Sequence, residues 1–279
     1  MCRISRIMEN AAAPQKRKRK IRAHWFIAPL LIALPVTVAV FFYLPRYDSF
    51  TAMGGIVPVQ ELGVKGSVHF VYVQEGITRN YYERLSIKRA DPDVEFTQVD
   101  GAARDSFEDD LAYGEEARNE TIRHAVESAA DLTDNEASDE EVEARLATLI
   151  EEAQQYYGDS IGLMLGLGLI EEESGEDFSR GGALKIAGTG TLEEDHGVGS
   201  VGAVRDKLRT AEREEVDLFF VPRDRDTYWF DGPSNEEEAE QAVQELGLRL
   251  QVVPVASLEE AVAYLQDDKA MRRGVDGQW

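Results

Sequence analysis

Gly158-Asp159-Ser160-Ile161-Gly162-Leu163-Met164 opens the most regular part of the chain. A serine stands between two glycines, and the glycine-rich apolar run that follows, Ile161 to Ile170, predicts a buried helix. A hydroxyl at such a helix start is exposed, and the backbone N–H groups beside it are suited to receive an oxyanion. The ordinary role of a serine in this place is to cap the helix. On these residues alone, Ser160 is a candidate nucleophile beside an equally simple structural explanation.

Downstream of this stretch, strand and helix patterns alternate. Ala183 to Leu192 and Val198 to Val201 predict two strands joined by a turn at Glu193 to Gly197. Val204 to Glu214 reads as a helix, Asp217 to Pro222 as a strand and Arg223 to Asn235 as a polar loop. Glu236 to Leu246 reads as a helix and Leu248 to Val255 as a strand, and Ser257 opens a last helix with Glu260 closing its capping box.

Upstream, Ser138 and Glu141 form a second capping box before Val142, Leu146, Leu149, Ile150 and Ala153, so that Leu146 to Tyr157 reads as helix. Ile122, Ala125, Val126, Ala129 and Leu132 also follow helical spacing. From Gly66 to Val99 the chain reads as strands: Val68 to Val73, a turn at Gln74-Glu75-Gly76, then Ile77 to Ile87 and Val94 to Val99. The fold class is α+β, a mixed α/β arrangement. Residues 101–160 hold 18 acids and 4 bases, read as solvated helix faces, since no D-x-[DN]-x-[DN]-G calcium loop is present.

A nucleophilic serine needs a base. His196, in Asp195-His196-Gly197, sits in a turn. Lys207 lies on the first turn of the helix from Val204, and would serve only if burial brought its pKa down from about 10.4. The bland alternative is a solvated surface lysine.

Four blocks together resemble the proteolytic domain of the Lon-type serine proteases, most closely the membrane-anchored, secreted-side branch without an ATPase module. Gly158 to Met164 stands where that family has G-P-S-A-G-L-M, and Lys185-Ile186-Ala187-Gly188-Thr189-Gly190-Thr191-Leu192 is similar to its I-A-G-T-G-T-I strand. Val198-Gly199-Ser200-Val201-Gly202-Ala203-Val204-Arg205-Asp206-Lys207 is similar to V-G-x-I-G-G-I-K-x-K, and Phe219-Phe220-Val221-Pro222 and Val252-Val253-Pro254-Val255 to two later core strands. The resemblance implies Ser160 as nucleophile, Lys207 as general base and Thr189 as the residue holding the lysine. It implies ATP-independent endopeptidase cleavage of peptides or unfolded segments through an acyl-enzyme, with no metal and no cofactor. It also admits homo-oligomers, because such domains tend to form rings.

The chain departs from that family in four ways. Asp159 replaces the proline before the serine and Ile161 the following alanine; a carboxylate beside the nucleophile tends to raise the pKa of Lys207. No PDZ domain fits between anchor and protease, and helix stands where the family has a strand before the serine. These departures carry the alternative reading: a catalytically inactive Lon-like domain serving as a membrane-tethered binding or scaffold module. Gly-Asp-Ser-Ile also resembles the opening block of G-D-S-L esterases, but no D-x-x-H pair follows it.

Trp25 to Leu44 are twenty residues without a formal charge, enough to cross a bilayer core of about 30 Å. Lys16 to Lys20 and Arg22 precede them and only Arg46 follows closely, so the positive-inside rule keeps the N-terminus cytoplasmic and the rest extracytoplasmic. The expected organisation is a basic N-terminus (1–24), a single-pass anchor in the cell membrane (25–44), a strand-rich then helical acidic region (60–135) as a candidate first half of the protease domain, a Lon-like core (136–266) and a mobile tail (267–279).

Composition narrows the remaining classes. The net charge of −23 argues against nucleic acid as a partner, since phosphate binding needs basic surface. One cysteine excludes an intrachain disulfide, the four histidines lie far apart, and no P-loop occurs.

Overall fold

The computed structural model describes residues 24–133, 138–223 and 232–267, in two compact units, Met1–Leu44 and Pro45–Trp279. The basic run at 16–22, most of the polar loop after Arg223 and the expected tail beyond Asp267 lie outside the described residues.

The first unit contributes one helix, α1 (His24–Phe42). It ends two residues short of the expected span because Leu44 precedes Pro45, a position that disfavours helical backbone. Leu31, Ile32, Leu34, Val36, Val38, Val40 and Phe41 are all exposed. Among the described residues, no helix is long and apolar enough to cross a membrane.

The second unit is a three-layer α/β body. Its six-stranded sheet runs β3 (Glu95–Gln98), β1 (Asp48–Pro58), β2 (His69–Ile77), β4 (Ile186–Gly188), β7 (Leu218–Pro222) and β8 (Gln251–Val255). Pairing is antiparallel from β3 to β2 and parallel from β2 to β8. The two faces of β7 show why both sides are covered: Leu218 and Phe220 point into one apolar cluster, Phe219 and Val221 into the other, and all four are buried.

On the first face lie α3 (Gly101–Leu132), α4 (Asp139–Glu152), α5 (Gly162–Ser174) and α8 (Leu258–Gln266); on the second lie α6 (Val204–Arg213) and α7 (Asn235–Leu246). Helix α5 is central, with every residue from Gly162 to Glu171 buried. Ser138 caps α4 through the complete capping box expected there. Ser257 caps α8 by accepting the Glu260 N–H, but the expected box stays open because the Glu260 carboxylate accepts from Ala256 N–H instead. Ser234, within the expected polar loop, caps α7 through a complete box.

Three expectations for the first half of this unit give way. Strand β1 lies ahead of the expected boundary at residue 60, and a bulge at Met53/Gly55 breaks the alternation that would have revealed it. Gln74-Glu75-Gly76 is not a turn: it continues β2, with Gly76 paired to Phe50 of β1. The expected strand from Ile77 to Ile87 is instead α2 (Tyr81–Ala90), started by the Asn80 side chain, which accepts the Glu83 N–H at 2.9 Å. Further on, the expected strand over 183–192 divides into β4 and β5 (Thr191–Leu192). The next shortens to β6 (Val198–Gly199), which pairs with β5 in a separate ribbon.

Candidate active site

Ser160, Thr189 and Lys207 come from three different layers. Ser160 precedes α5, Thr189 follows the carboxyl end of β4, and Lys207 lies on the first turn of α6 across the sheet. Crevices beyond the carboxyl ends of parallel strands are the usual ligand position in such sheets. Here a groove of about 1140 Å³ is lined by Ser160 and Lys207, with Asp159, Glu75, Tyr72 and Phe107 among its walls.

The serine loop is stitched in place by backbone. Gly190 N–H donates to the Ser160 carbonyl at 3.1 Å, and the Gly190 carbonyl accepts from Leu163 N–H at 3.1 Å. A Cβ at Gly162 would collide with the Thr121 hydroxyl and stand 2.7 Å from the Leu192 nitrogen, so only glycine lets α5 start this close to β5. At Gly188 a Cβ would lie 2.6 Å from Met164 Sδ, which binds β4 tightly under α5. Among the described residues, the Ser160 hydroxyl makes no hydrogen bond. It faces the groove unengaged, and hydrogen bonds of this kind commonly tighten only in the substrate complex.

Lys207 is set by the loop before α6 and by the helix itself. The buried Asn235 side chain accepts from Val201 N–H at 2.8 Å and donates to the Val201 carbonyl at 2.9 Å, pinning the approach to the helix. Arg209, two residues on and on the opposite side of α6, binds Asp91 at 2.9 Å, Asp206 at 2.6 Å and Asp93 at 3.1 Å, fastening α6 to the segment between α2 and β3. The N-cap residue Ala203 is held in the left-handed region at φ 58°.

The lysine is 4% exposed, and its Nζ donates to Thr189 Oγ1 at 3.0 Å. Thr189, itself fully buried, donates in turn toward the Ser160 carbonyl at 3.5 Å. Burial pulls the Lys207 ammonium down to about 8, outweighing the opposing pull of Glu75, Asp159 and Glu238. At pH 7.4 such a lysine is neutral on the order of a hundredfold more often than a solvated one. Burial also pushes the Asp159 carboxyl up, against the pull of Lys207. Three carboxylates thus pull on the lysine without outweighing its burial.

His196 lies elsewhere. In the turn between β5 and β6, it meets Glu259 at 2.9 Å and Asp131 at 3.4 Å, and those carboxylates raise its pKa. His124, also outside the groove lining, binds the Leu192 carbonyl at 2.8 Å. No group of three or more metal-ligating side chains occurs among the described residues.

Glu75 is a groove residue that the sequence does not single out, since Gln74-Glu75-Gly76 has the pattern of a turn. The available signal was the period-2 series Val71, Val73, Glu75, which puts all three on one face of β2. Compared with known proteins, the chain matches no family model and no curated protein.

Proposed function

We propose that the chain is a membrane-anchored, ATP-independent serine endopeptidase of the Lon-like kind, in which Ser160 attacks the peptide carbonyl and Lys207 takes its proton. The observation that carries this reading is the meeting of an unengaged serine hydroxyl and a buried lysine of lowered pKa on one groove, with Thr189 between them. The chemistry needs no metal: Lys207 in its neutral form removes the Ser160 proton, the acyl-enzyme forms as the amine leaves with that proton, and water completes hydrolysis. Substrates are peptides or unfolded segments, the class that the Lon-like resemblance implies. The uncharged run from Trp25 to Leu44 and the basic flank before it support the anchor and its cytoplasmic N-terminus, although no described helix is long and apolar enough to cross a membrane.

The inactive, scaffold-type reading draws on one observation, the half-buried carboxyl of Asp159 directly before the serine. One experiment separates the two. Full-length chain in detergent is compared with Ser160→Ala and Lys207→Ala on an unfolded protein without ATP, and a serine-reactive phosphonate is used to label Ser160. Cleavage and labelling lost in both variants support the peptidase. A folded parent that neither cleaves nor labels between pH 6 and 10 leaves the scaffold.

A further inference from the structure

We propose that the groove at Ser160 selects peptides with a lysine or arginine side chain beside the scissile bond, with Glu75 and Asp159 determining that choice; this rests on the peptidase reading above. Among the described residues lining the groove, the acids are Glu61, Glu75 and Asp159 and the single base is Lys207. That base is committed: it is buried and donates to Thr189. When Lys207 becomes neutral, as proton abstraction requires, Glu75 and Asp159 lose the cation they face. A substrate cation restores the balance, and it also favours the neutral lysine by screening the two charges that hold its proton.

The groove walls agree with this occupant. Tyr72 and Tyr157 are exposed there, and aromatic faces attract ammonium and guanidinium groups. A second cavity of about 920 Å³ shares Phe50, Glu75 and Phe107 with the first, so Glu75 stands where the two meet and chain can extend past it in both directions. The net charge of −23 draws basic segments toward the whole surface and repels acidic ones.

The test separates selection from turnover. Full-length Ser160→Ala chain in detergent is titrated with fluorescein-labelled peptides of otherwise uncharged residues that differ only in a central arginine, citrulline or glutamate. The arginine peptide is expected to bind at least tenfold more tightly than its citrulline isostere, with glutamate weakest and the preference shrinking as salt is added. Adding Glu75→Gln, at an exposed position on β2, or Asp159→Asn is expected to bring arginine and citrulline to within about threefold. Equal binding of the two peptides to the Ser160→Ala chain would overturn the proposal, as would a preference that survives both substitutions. Cleavage by the parent is scored on the same peptides. Selective binding without cleavage removes the peptidase reading and keeps the selectivity, whereas cleavage without preference does the reverse.

Discussion

Lys207 Nζ and Thr189 Oγ1 lie 3.0 Å apart, both residues buried, and this contact joins α6 on one side of the sheet to the end of β4 in its middle. The hydrogen bond favours the charged lysine and fixes where its nitrogen sits. Replacing Thr189 by valine keeps the shape and removes the acceptor. The lysine pKa is then expected to fall below about 8, moving the rising limb of the pH–rate profile for peptide cleavage to lower pH. The lost orientation is expected to lower kcat by on the order of tenfold or more. Thr189→Ser, which retains the hydroxyl, should keep the parent profile. A valine variant with the parent's limb would show that Thr189 does not act on the lysine.

The same burial makes Lys207 a cost to folding. Its folded pKa, about 8, lies below its ordinary value of 10.5, so between those values the unfolded chain binds more protons and stability rises with pH. Below pH 8 the full penalty is present, roughly 3 kcal/mol at 1.36 kcal/mol per pKa unit. Lys207→Met removes it and leaves the Thr189 hydroxyl without its donor, a loss of about 1–2 kcal/mol. The variant is expected to melt higher than the parent at pH 7, with the gap closing toward pH 10.5, while cleavage is lost. A lower melting temperature at pH 7 would mean that Glu75 and Asp159 stabilise the ammonium more than burial penalises it.

How legible the molecule is from its sequence depends on where pattern and packing agree. From Gly158 onward the apolar periodicities and serine caps lead directly to α5, α6, β7, α7, β8 and α8, because each element is buried on the faces its pattern marks. Ser160, Thr189 and Lys207 were legible through a resemblance, and the structure brings them to one place. Upstream the pattern misleads. A bulge hides β1, Gly76 imitates a turn inside a paired strand, and Asn80 starts a helix in a run that alternates like a strand. Glu75 was missed for that reason, since its importance comes from the strand face it occupies. The half-buried setting of Asp159 was equally invisible, being a product of the loop's tertiary surroundings.

His196 provides a pH-dependent tether that is separate from the groove chemistry. Glu259 and Asp131 raise its pKa above the ordinary value, so the folded state binds the proton more tightly than the unfolded chain. The resulting stability is fully present below about pH 6.5 and is lost as pH rises through the folded pKa. His196→Gln is therefore expected to lower the urea midpoint relative to the parent at pH 5.5 and to differ little at pH 9. A destabilisation equal at both values would assign the effect to the turn's backbone, since His196 itself sits at φ 62°.

Ala203 stands at the last glycine position of the V-G-x-I-G-G pattern that this stretch resembles, and it has the backbone that glycine would take, with φ 58° and ψ 36°. For an L-residue the left-handed region costs roughly 1–2 kcal/mol, and glycine adopts it freely. Glycine also has more freedom to lose on folding, which offsets part of the gain. Ala203→Gly is therefore expected to stabilise the chain by about 0.5–1 kcal/mol, read as a higher urea midpoint at unchanged slope. The Lys207 side chain begins four residues later on the same helix, and Lys207 N–H donates to the Ala203 carbonyl at 3.0 Å. If the strained alanine serves to hold that first turn in register, the glycine variant will instead gain stability while losing cleavage rate. Measuring both on one preparation distinguishes a tolerated strain from a working one.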